Sequence, residues 1–163
     1  MGSNYVLTLS KSLAINAYEQ INFLIAGARE SGKTYGALIL IAELASFPRM
    51  NPNNLLGTGK LPTQIYIVDF KNSDLARLGA LLPSGRVAIN KEEAIQVVTD
   101  YDNKMHKRLS SIKDEEFGAT AGKLGMPMYY LIIDEWSATN AAFNQGITKK
   151  DKDLRYKWNA LIT

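Results

Sequence analysis

The chain has 163 residues, of which 46% are hydrophobic and 21% are charged, values typical of a globular domain. Its net charge of +3 is too small to indicate a nucleic-acid partner by itself. Because cysteine is absent, a disulfide framework, a cysteine-ligated zinc site and a thiol nucleophile are excluded. No apolar run in the chain reaches the roughly 18 residues of a membrane-spanning helix.

The first third of the chain contains two predicted strands and one predicted helix. Alternating residues predict a strand at Tyr5–Leu9, which we assign with the rest of residues 1–20 to an N-terminal strand and lead-in. A stronger apolar strand is predicted at Ile21–Ala26. A helix is predicted from Lys33 to Phe47, and Pro and Gly residues predict a loop from Asn51 to Pro62.

The remaining sequence alternates between strands and helices. Gln64–Val68 is a short run of β-branched and aromatic residues that predicts a buried strand. Ser73 or Asp74 begins a short helix through Leu82, and Lys91–Ile112 has the apolar spacing of a long amphipathic helix.

Two further elements follow a polar, glycine-containing connection from Asp114 to Pro127. Met128–Ile133 predicts a third core strand, and Lys149–Thr163 predicts a helix. Strands alternating with helices indicate an α/β fold with a mainly parallel sheet and flanking helices. Since the chain ends within helix-forming sequence, we expect residues 21–163 to be the N-terminal part of a larger domain.

The segment Gly27–Thr34 fits the phosphate-loop pattern G-x-x-x-x-G-K-[ST], between a predicted strand and a predicted helix. In this motif backbone N–H groups and the helix N-terminus bind phosphate, Lys33 contacts the β- and γ-phosphates, and the Thr34 hydroxyl ligates Mg²⁺. A simple glycine turn explains the two glycines but not the Lys-Thr pair. The residues predicted to bind the nucleotide through this loop are Gly27, Ala28, Arg29, Glu30, Ser31, Gly32, Lys33, Thr34 and Tyr35.

A second motif is the apolar strand that ends in Asp134-Glu135. Its carboxylates are expected at the carboxyl edge of the sheet, where open α/β sheets bind ligands. There Asp134 would hold Mg²⁺ and Glu135 would orient or deprotonate the attacking water. The alternative interpretation is a buried strand followed by an acidic helix cap. Together with the phosphate loop, the pair favours an ATPase.

Three blocks of the sequence resemble the FtsK/SpoIIIE family of DNA translocases. Ile65–Leu75 is similar to the family's second strand followed by Asp-Pro-Lys, with Phe70 in place of the proline. Ala94–Arg108 resembles the family's long helix, and Gly125–Glu135 resembles its Pro-led strand with Asp-Glu. Asn72–Ala76 is most similar to the coupling or transfer ATPases of Gram-positive conjugative elements.

The resemblance implies a RecA-like ATPase domain that assembles into a hexameric ring and moves DNA using ATP and Mg²⁺. It places Asp69 and Lys71 near the nucleotide or a subunit boundary, in a cytoplasmic protein whose longer form could be membrane-associated. Apart from ATP, it implies no small-molecule substrate. A neighbouring subunit would supply an arginine, for which the candidates are Arg77, Arg86, Arg108 and Arg155.

Two other functions remain open. A small P-loop kinase would suit the length of the chain, but it needs an arginine-containing lid, and the connection from Asp114 to Pro127 contains no arginine. A nucleotide-binding fragment without turnover of its own is the third possibility. A basic run could contact DNA phosphates or could only complement the helix dipole; it consists of Lys104, Lys107, Arg108 and Lys113.

Overall fold

A computed structural model describes residues 6–10, 13–16, 23–26, 31–46, 63–119, 121, 124 and 126–162 of the chain. Predictions for Tyr5, residues 21–22, 27–30 and 47–62, Thr163 and parts of the 114–127 connection lie outside the described residues.

The described residues form an α/β protein with five α-helices, an antiparallel hairpin and a three-stranded parallel sheet. The elements in chain order are β1 (Val6–Ser10), β2 (Leu13–Asn16), α1 (Lys33–Ser46), β3 (Gln64–Val68), α2 (Asp74–Arg77), β4 (Val87–Ala88), α3 (Lys91–Lys113), β5 (Tyr129–Ile133), α4 (Trp136–Asn144) and α5 (Lys149–Ile162).

The chain divides into two compact units. The first comprises Met1–Gln64 with Gly118–Met128, and the second comprises Ile65–Phe117 with Tyr129–Thr163. The predicted division at residue 20 stays a prediction. None of the described helices is both long enough and apolar enough to cross a membrane.

In the first unit, α1 packs against the hairpin formed by β1 and β2. Leu7 on β1 is fully buried, and Ile41 and Leu44, which lie three residues apart on one face of α1, are buried as well. The backbone N–H of Thr8 also donates to the carboxylate of Glu43, with 3.2 Å between nitrogen and oxygen. The helix predicted from Lys33 is confirmed.

Residues Phe23–Ala26 do not form a strand. The side chain of Leu24 is 89% exposed and that of Ile25 is 46% exposed. A short apolar run becomes a strand only where a neighbouring strand pairs with its backbone and other side chains cover its own. The prediction of a strand at Ile21–Ala26 is therefore wrong for these four residues.

The sheet of the second unit has the order β4-β3-β5. β3 pairs with β4 in parallel, with Ile67 opposite Val87. β3 and β5 also run in the same direction, since Gln64 bonds to Met128 at their beginning and Asp134 bonds to Val68 at their end. The central position of β3 explains why its Ile-Tyr-Ile-Val run is buried on both faces.

Helices α3, α4 and α5 complete the core of the second unit. α3 begins after Asn90, whose side chain accepts a hydrogen bond from the backbone N–H of Glu93, a standard N-cap. The core cluster consists of Tyr66, Val68, Ala88, Ala94, Val97, Val98, Phe143 and Trp158. Trp158 of α5 stacks on Phe143 of α4 with ring centroids 4.3 Å apart. The aromatic stack thereby fixes α5 to α4.

The predicted elements of this unit are confirmed for β3, α3, β5 and α5, with small differences at their ends. The helix predicted through Leu82 is shorter, because α2 ends at Arg77 and a 3₁₀ turn covers Leu78–Ala80. Strands β2 and β4 and helix α4 were not predicted. β4 has only two residues, and α4 mixes small and polar residues without a clear apolar stripe.

Candidate functional site

The described part of the phosphate loop lies in the first unit and opens α1. Gly27, Ala28, Arg29 and Glu30 lie outside the described residues. Gly32 has φ of +81°, a left-handed conformation that glycine adopts without strain. Its carbonyl accepts the N–H of Gly36 in the first helical hydrogen bond, at 2.9 Å. Gly32 therefore turns the chain directly into the helix.

The next three residues are the first of α1. Lys33 and Thr34 are half-buried, whereas the side chain of Tyr35 is 73% exposed. Ser31, which precedes the turn, is exposed. The Gly-Lys-Thr segment thus begins a helix, as the motif requires, although the preceding strand is not formed over Phe23–Ala26.

In the second unit, a buried aspartate organises the end of β3. Asp69 is fully buried, and its carboxylate accepts four hydrogen bonds. Two come from Ser73, from its N–H at 2.8 Å and from its hydroxyl at 2.6 Å. The other two come from the N–H of Lys71 at 3.1 Å and from the N–H of Ala76 at 3.1 Å. The last of these donors belongs to α2. Asp69 therefore caps α2 and holds the turn after β3.

Asp69 is also predicted to contact the nucleotide, and that role stays a prediction. The expected cap of the helix was Ser73 or Asp74. Ser73 does occupy the N-cap position, but its side chain makes no capping bond to the helix, and Asp69 supplies that bond instead. In the sequence, Asp69 lies four residues before Ser73 and seven residues before Ala76, whose N–H it accepts. This spacing is longer than that of the usual capping patterns, so the cap could not be recognised from the sequence.

At the end of the neighbouring strand β5, Asp134 and Glu135 follow directly. The N–H of Asp134 donates to the carbonyl of Val68 on β3 at 2.9 Å. Glu135 has φ of 47° and ψ of 61°, the left-handed conformation, and its side chain makes no capping bond to α4. Glu135 therefore occupies the N-cap position that the alternative interpretation predicts, without the side-chain hydrogen bond of a helix cap.

Thr139, which was not predicted as a site residue, stabilises the turn at Asp134-Glu135 through two hydrogen bonds. It is buried, its N–H donates to the carbonyl of Glu135 at 2.9 Å, and its hydroxyl donates to the carbonyl of Asp134 at 3.1 Å. A Thr four residues after an acidic pair is too common to be a useful sequence signal.

The ends of β3 and β5 bring four predicted site residues together. The ammonium of Lys71 forms an ion pair with Oε1 of Glu135, and both side chains are about half exposed. Asp134 lies close enough to Asp69, Lys71 and Glu135 for their charges to change its pKa. This group of charged side chains at the carboxyl ends of β3 and β5, which we call the strand-end cluster, is formed by Asp69, Lys71, Asp134 and Glu135.

The strand-end cluster carries more negative than positive charge. Partial burial, and next the negative charge of Asp69, raise the pKa of Asp134, while Lys71 acts in the opposite direction. Three carboxylates face one ammonium, so negative charge is incompletely balanced. Mg²⁺ in nucleotide sites is commonly bound by one or two carboxylates together with phosphates and waters. The half-buried carboxylate of Asp134 fits such a role, whereas that of Asp69 is saturated by hydrogen-bond donors.

Within the part of the chain that the structure describes, no group of three or more His, Cys, Asp and Glu side chains could hold a metal by itself. A magnesium ion at Asp134 would therefore need ligands from the nucleotide or from water. Thr34 is the other predicted ligand.

The four candidate arginines differ in exposure. Arg77 is 82% exposed and bonds to Asp74 one helical turn earlier. Arg86 is only 14% exposed, with its guanidinium 3.9 Å from the ring centroid of Tyr66. Arg108 and Arg155 are half-buried. Arg77 is therefore the most exposed of the four, and Arg86 packs within its own unit.

Comparison of the chain with protein-family models, curated proteins and solved structures gave no match.

Proposed function

We propose that the chain binds MgATP and hydrolyses it as the nucleotide-binding part of a RecA-like DNA translocase of the FtsK/SpoIIIE type. The observation that carries the proposal is the strand-end cluster, in which Glu135 adopts a left-handed backbone and pairs with Lys71 across two parallel strands. Non-glycine residues in this conformation concentrate at functional sites, because the surrounding structure must maintain the strain.

The phosphate loop supplies the second support. Gly32 in the left-handed region opens α1 with Lys33 and Thr34 as its first residues. A helix beginning in this way presents backbone N–H groups and the positive end of the helix dipole to an anion. In this proposal Lys33 contacts the β- and γ-phosphates, and the Thr34 hydroxyl and Asp134 hold Mg²⁺.

Glu135 is assigned the role of general base. In the hydrolytic step, the oxygen of a water molecule forms a bond to the γ-phosphorus while the bond to the β–γ bridging oxygen breaks. The proton of the water passes to the Glu135 carboxylate, and the products are ADP and inorganic phosphate. Bound Mg²⁺ would offset negative charge on the phosphate oxygens.

DNA as partner, the hexameric ring and the cytoplasmic location come from the sequence resemblance. The exposed basic side chains of α3 give DNA a plausible contact, since Lys104, Lys107 and Lys113 all face solvent. Arg108, the fourth residue of the basic run, is half-buried, and its guanidinium lies 5.9 Å from the ring centroid of Tyr129. Arg77 is the residue we assign to the nucleotide of a neighbouring subunit.

The test is phosphate release from MgATP with and without double-stranded DNA. Lys33→Ala should abolish release because phosphate binding is lost. Glu135→Gln should retain nucleotide binding and lower the rate by about 10²- to 10⁴-fold, the usual contribution of a general base. Lys152→Ala and Glu116→Gln, exposed residues outside both motifs, are the matched controls.

Release that DNA stimulates in the wild type and that Lys33→Ala removes would support a DNA-coupled motor. Release indifferent to DNA would reject the DNA partner but retain the ATPase. Formation of ADP only when a small acceptor is added would indicate a kinase. Equal rates for Glu135→Gln and the wild type would show that Glu135 is not the base.

A further inference from the structure

We propose that Lys71 is a positioning residue that holds the Glu135 carboxylate in its working orientation through their ion pair. The inference rests on the proposed role of Glu135 as general base and adds a second residue to that site. Lys71 acts through Glu135 and need not touch the nucleotide itself.

The Lys71 side of the pair is built on a fixed turn. The carboxylate of Asp69 accepts the N–H of Lys71, and the carbonyl of Asp69 accepts the N–H of Asn72 at 3.1 Å. Asn72 is itself in the left-handed region, with φ of 52°. Because Asp69 is fully buried and its bonds extend into α2, the backbone that carries Lys71 has little freedom to move.

The Glu135 side is also held by hydrogen bonds to its backbone. Thr139 bonds to the carbonyls of both Asp134 and Glu135, and Asp134 bonds to Val68 on β3. Among the described residues of the second unit that are not glycine, two are left-handed, namely Asn72, which follows Lys71, and Glu135, which is a member of the ion pair. Each lies in the first turn after its strand.

An ion pair this exposed contributes little to folding stability, because water and salt screen it and two long side chains lose freedom. The ion pair instead restricts the orientation of the Glu135 side chain. A free glutamate side chain samples several rotamers, whereas a general base must lie within hydrogen-bond distance of the water it deprotonates. The pair uses Oε1 of Glu135, so that Oε2 is the oxygen that accepts the proton.

The first test observes the pair without any reaction. Lysine ammonium groups held in ion pairs can be distinguished by the order of their N–H₃ signals in nitrogen-edited NMR. We expect the Lys71 ammonium of the full 163-residue chain to be more ordered than that of exposed Lys152, and to become as mobile as Lys152 in Glu135→Gln. Equal mobility of Lys71 and Lys152 in the wild type would overturn the proposal.

The second test measures steady-state hydrolysis of MgATP. Lys71→Met removes the ammonium and keeps most of the length of the side chain, whereas Lys71→Arg keeps the positive charge. Lys71→Met should lower kcat about tenfold, because misplacement of a reacting group by an ångström can cost up to 10²-fold. KM should stay within about twofold, since binding energy is not lost, and Lys71→Arg should recover most of the rate.

The outcomes separate this inference from the proposed function. An ordered pair together with an unchanged kcat in Lys71→Met would reject the positioning role while the ATPase stands. A raised KM with an unchanged kcat would instead make Lys71 a nucleotide ligand. Binding of MgATP without any hydrolysis by the wild type would reject Glu135 as base and with it the role of Lys71. Failure to bind MgATP at all would reject the proposed function itself.

Discussion

The buried carboxylate of Asp69 accepts four hydrogen bonds from its own turn and from α2. Each hydrogen bond to a charged group is worth about 1.5–3 kcal/mol, and removing the acceptor leaves buried donors unsatisfied. By contrast, the neighbouring Lys71 is half exposed and its ion pair is screened. The two residues of the Asp-x-Lys motif therefore have different physical roles.

Asp69→Asn should destabilise the chain by about 2 kcal/mol, because an amide retains one accepting oxygen where the carboxylate has two. Lys71→Met should change the free energy of unfolding by less than about 1 kcal/mol. Urea denaturation of both variants, compared with the wild type, measures the difference. Equal stability of Asp69→Asn and the wild type would show that the turn does not depend on this carboxylate.

The raised pKa of Asp134, which burial and the charge of Asp69 cause, makes stability depend on pH. The folded chain binds this proton more tightly than the unfolded chain does, so the ionised carboxylate opposes folding above the folded pKa. At pH values below the unfolded pKa, the carboxyl is neutral in both states and the penalty vanishes.

Asp134→Asn should therefore have a higher Tm than the wild type at pH 7, and the gap should close as the pH falls below about 4. Thermal unfolding followed by circular dichroism across this range provides the measurement. A gap that is independent of pH would mean that the effect comes from packing or hydrogen bonding and not from charge.

At the scale of elements, the junction between α4 and α5 depends on close contacts around one glycine. Gly146 has φ of +102°, and a Cβ atom placed there would lie 2.4 Å from Cγ of Asp151. Asp151 accepts the Thr148 hydroxyl at 2.6 Å, the N–H of Asp151 donates back to the Thr148 oxygen at 3.1 Å, and Lys91 of α3 lies 3.4 Å from the carboxylate. The bonds between Thr148 and Asp151 cap the beginning of α5.

Gly146→Ala should destabilise the chain more than Gly85→Ala, which is the matched control. Gly85 also has a positive φ, of +77°, but a Cβ there would meet nothing within 4 Å. Gly85→Ala carries only the backbone cost of about 1–2 kcal/mol, whereas Gly146→Ala adds a steric cost of about 1–3 kcal/mol. Thermal unfolding compares them, and equal losses would show that Asp151 moves aside freely.

At the scale of the whole molecule, elements with a long or strong pattern could be predicted from the sequence. The buried run of β3 and the apolar spacing of α3 determine their structures locally. The two-residue strand β4 exists only because β3 pairs with it. Phe23–Ala26 shows the converse, an apolar run without strand structure. Both outcomes depend on partners distant in sequence, which local patterns do not contain.

In the candidate site, too, some features could be predicted from the sequence and others could not. The motifs predict that Lys71 and Glu135 each follow a strand, and the structure shows that the two strands are neighbours and that the two side chains form an ion pair. The roles of Asp69 as a cap and of Thr139 as a support for the turn depend on three-dimensional contacts. They could not be read from residue type and spacing.

The most direct test of the account is calorimetric titration of the chain with MgATP, using Lys33→Ala and the control Lys152→Ala. We predict that the wild type and Lys152→Ala bind one nucleotide per chain with equal affinity. Lys33→Ala should bind at least about tenfold more weakly, since a charge-assisted contact to phosphate is lost. No binding by the wild type, or equal binding by Lys33→Ala, would contradict the account.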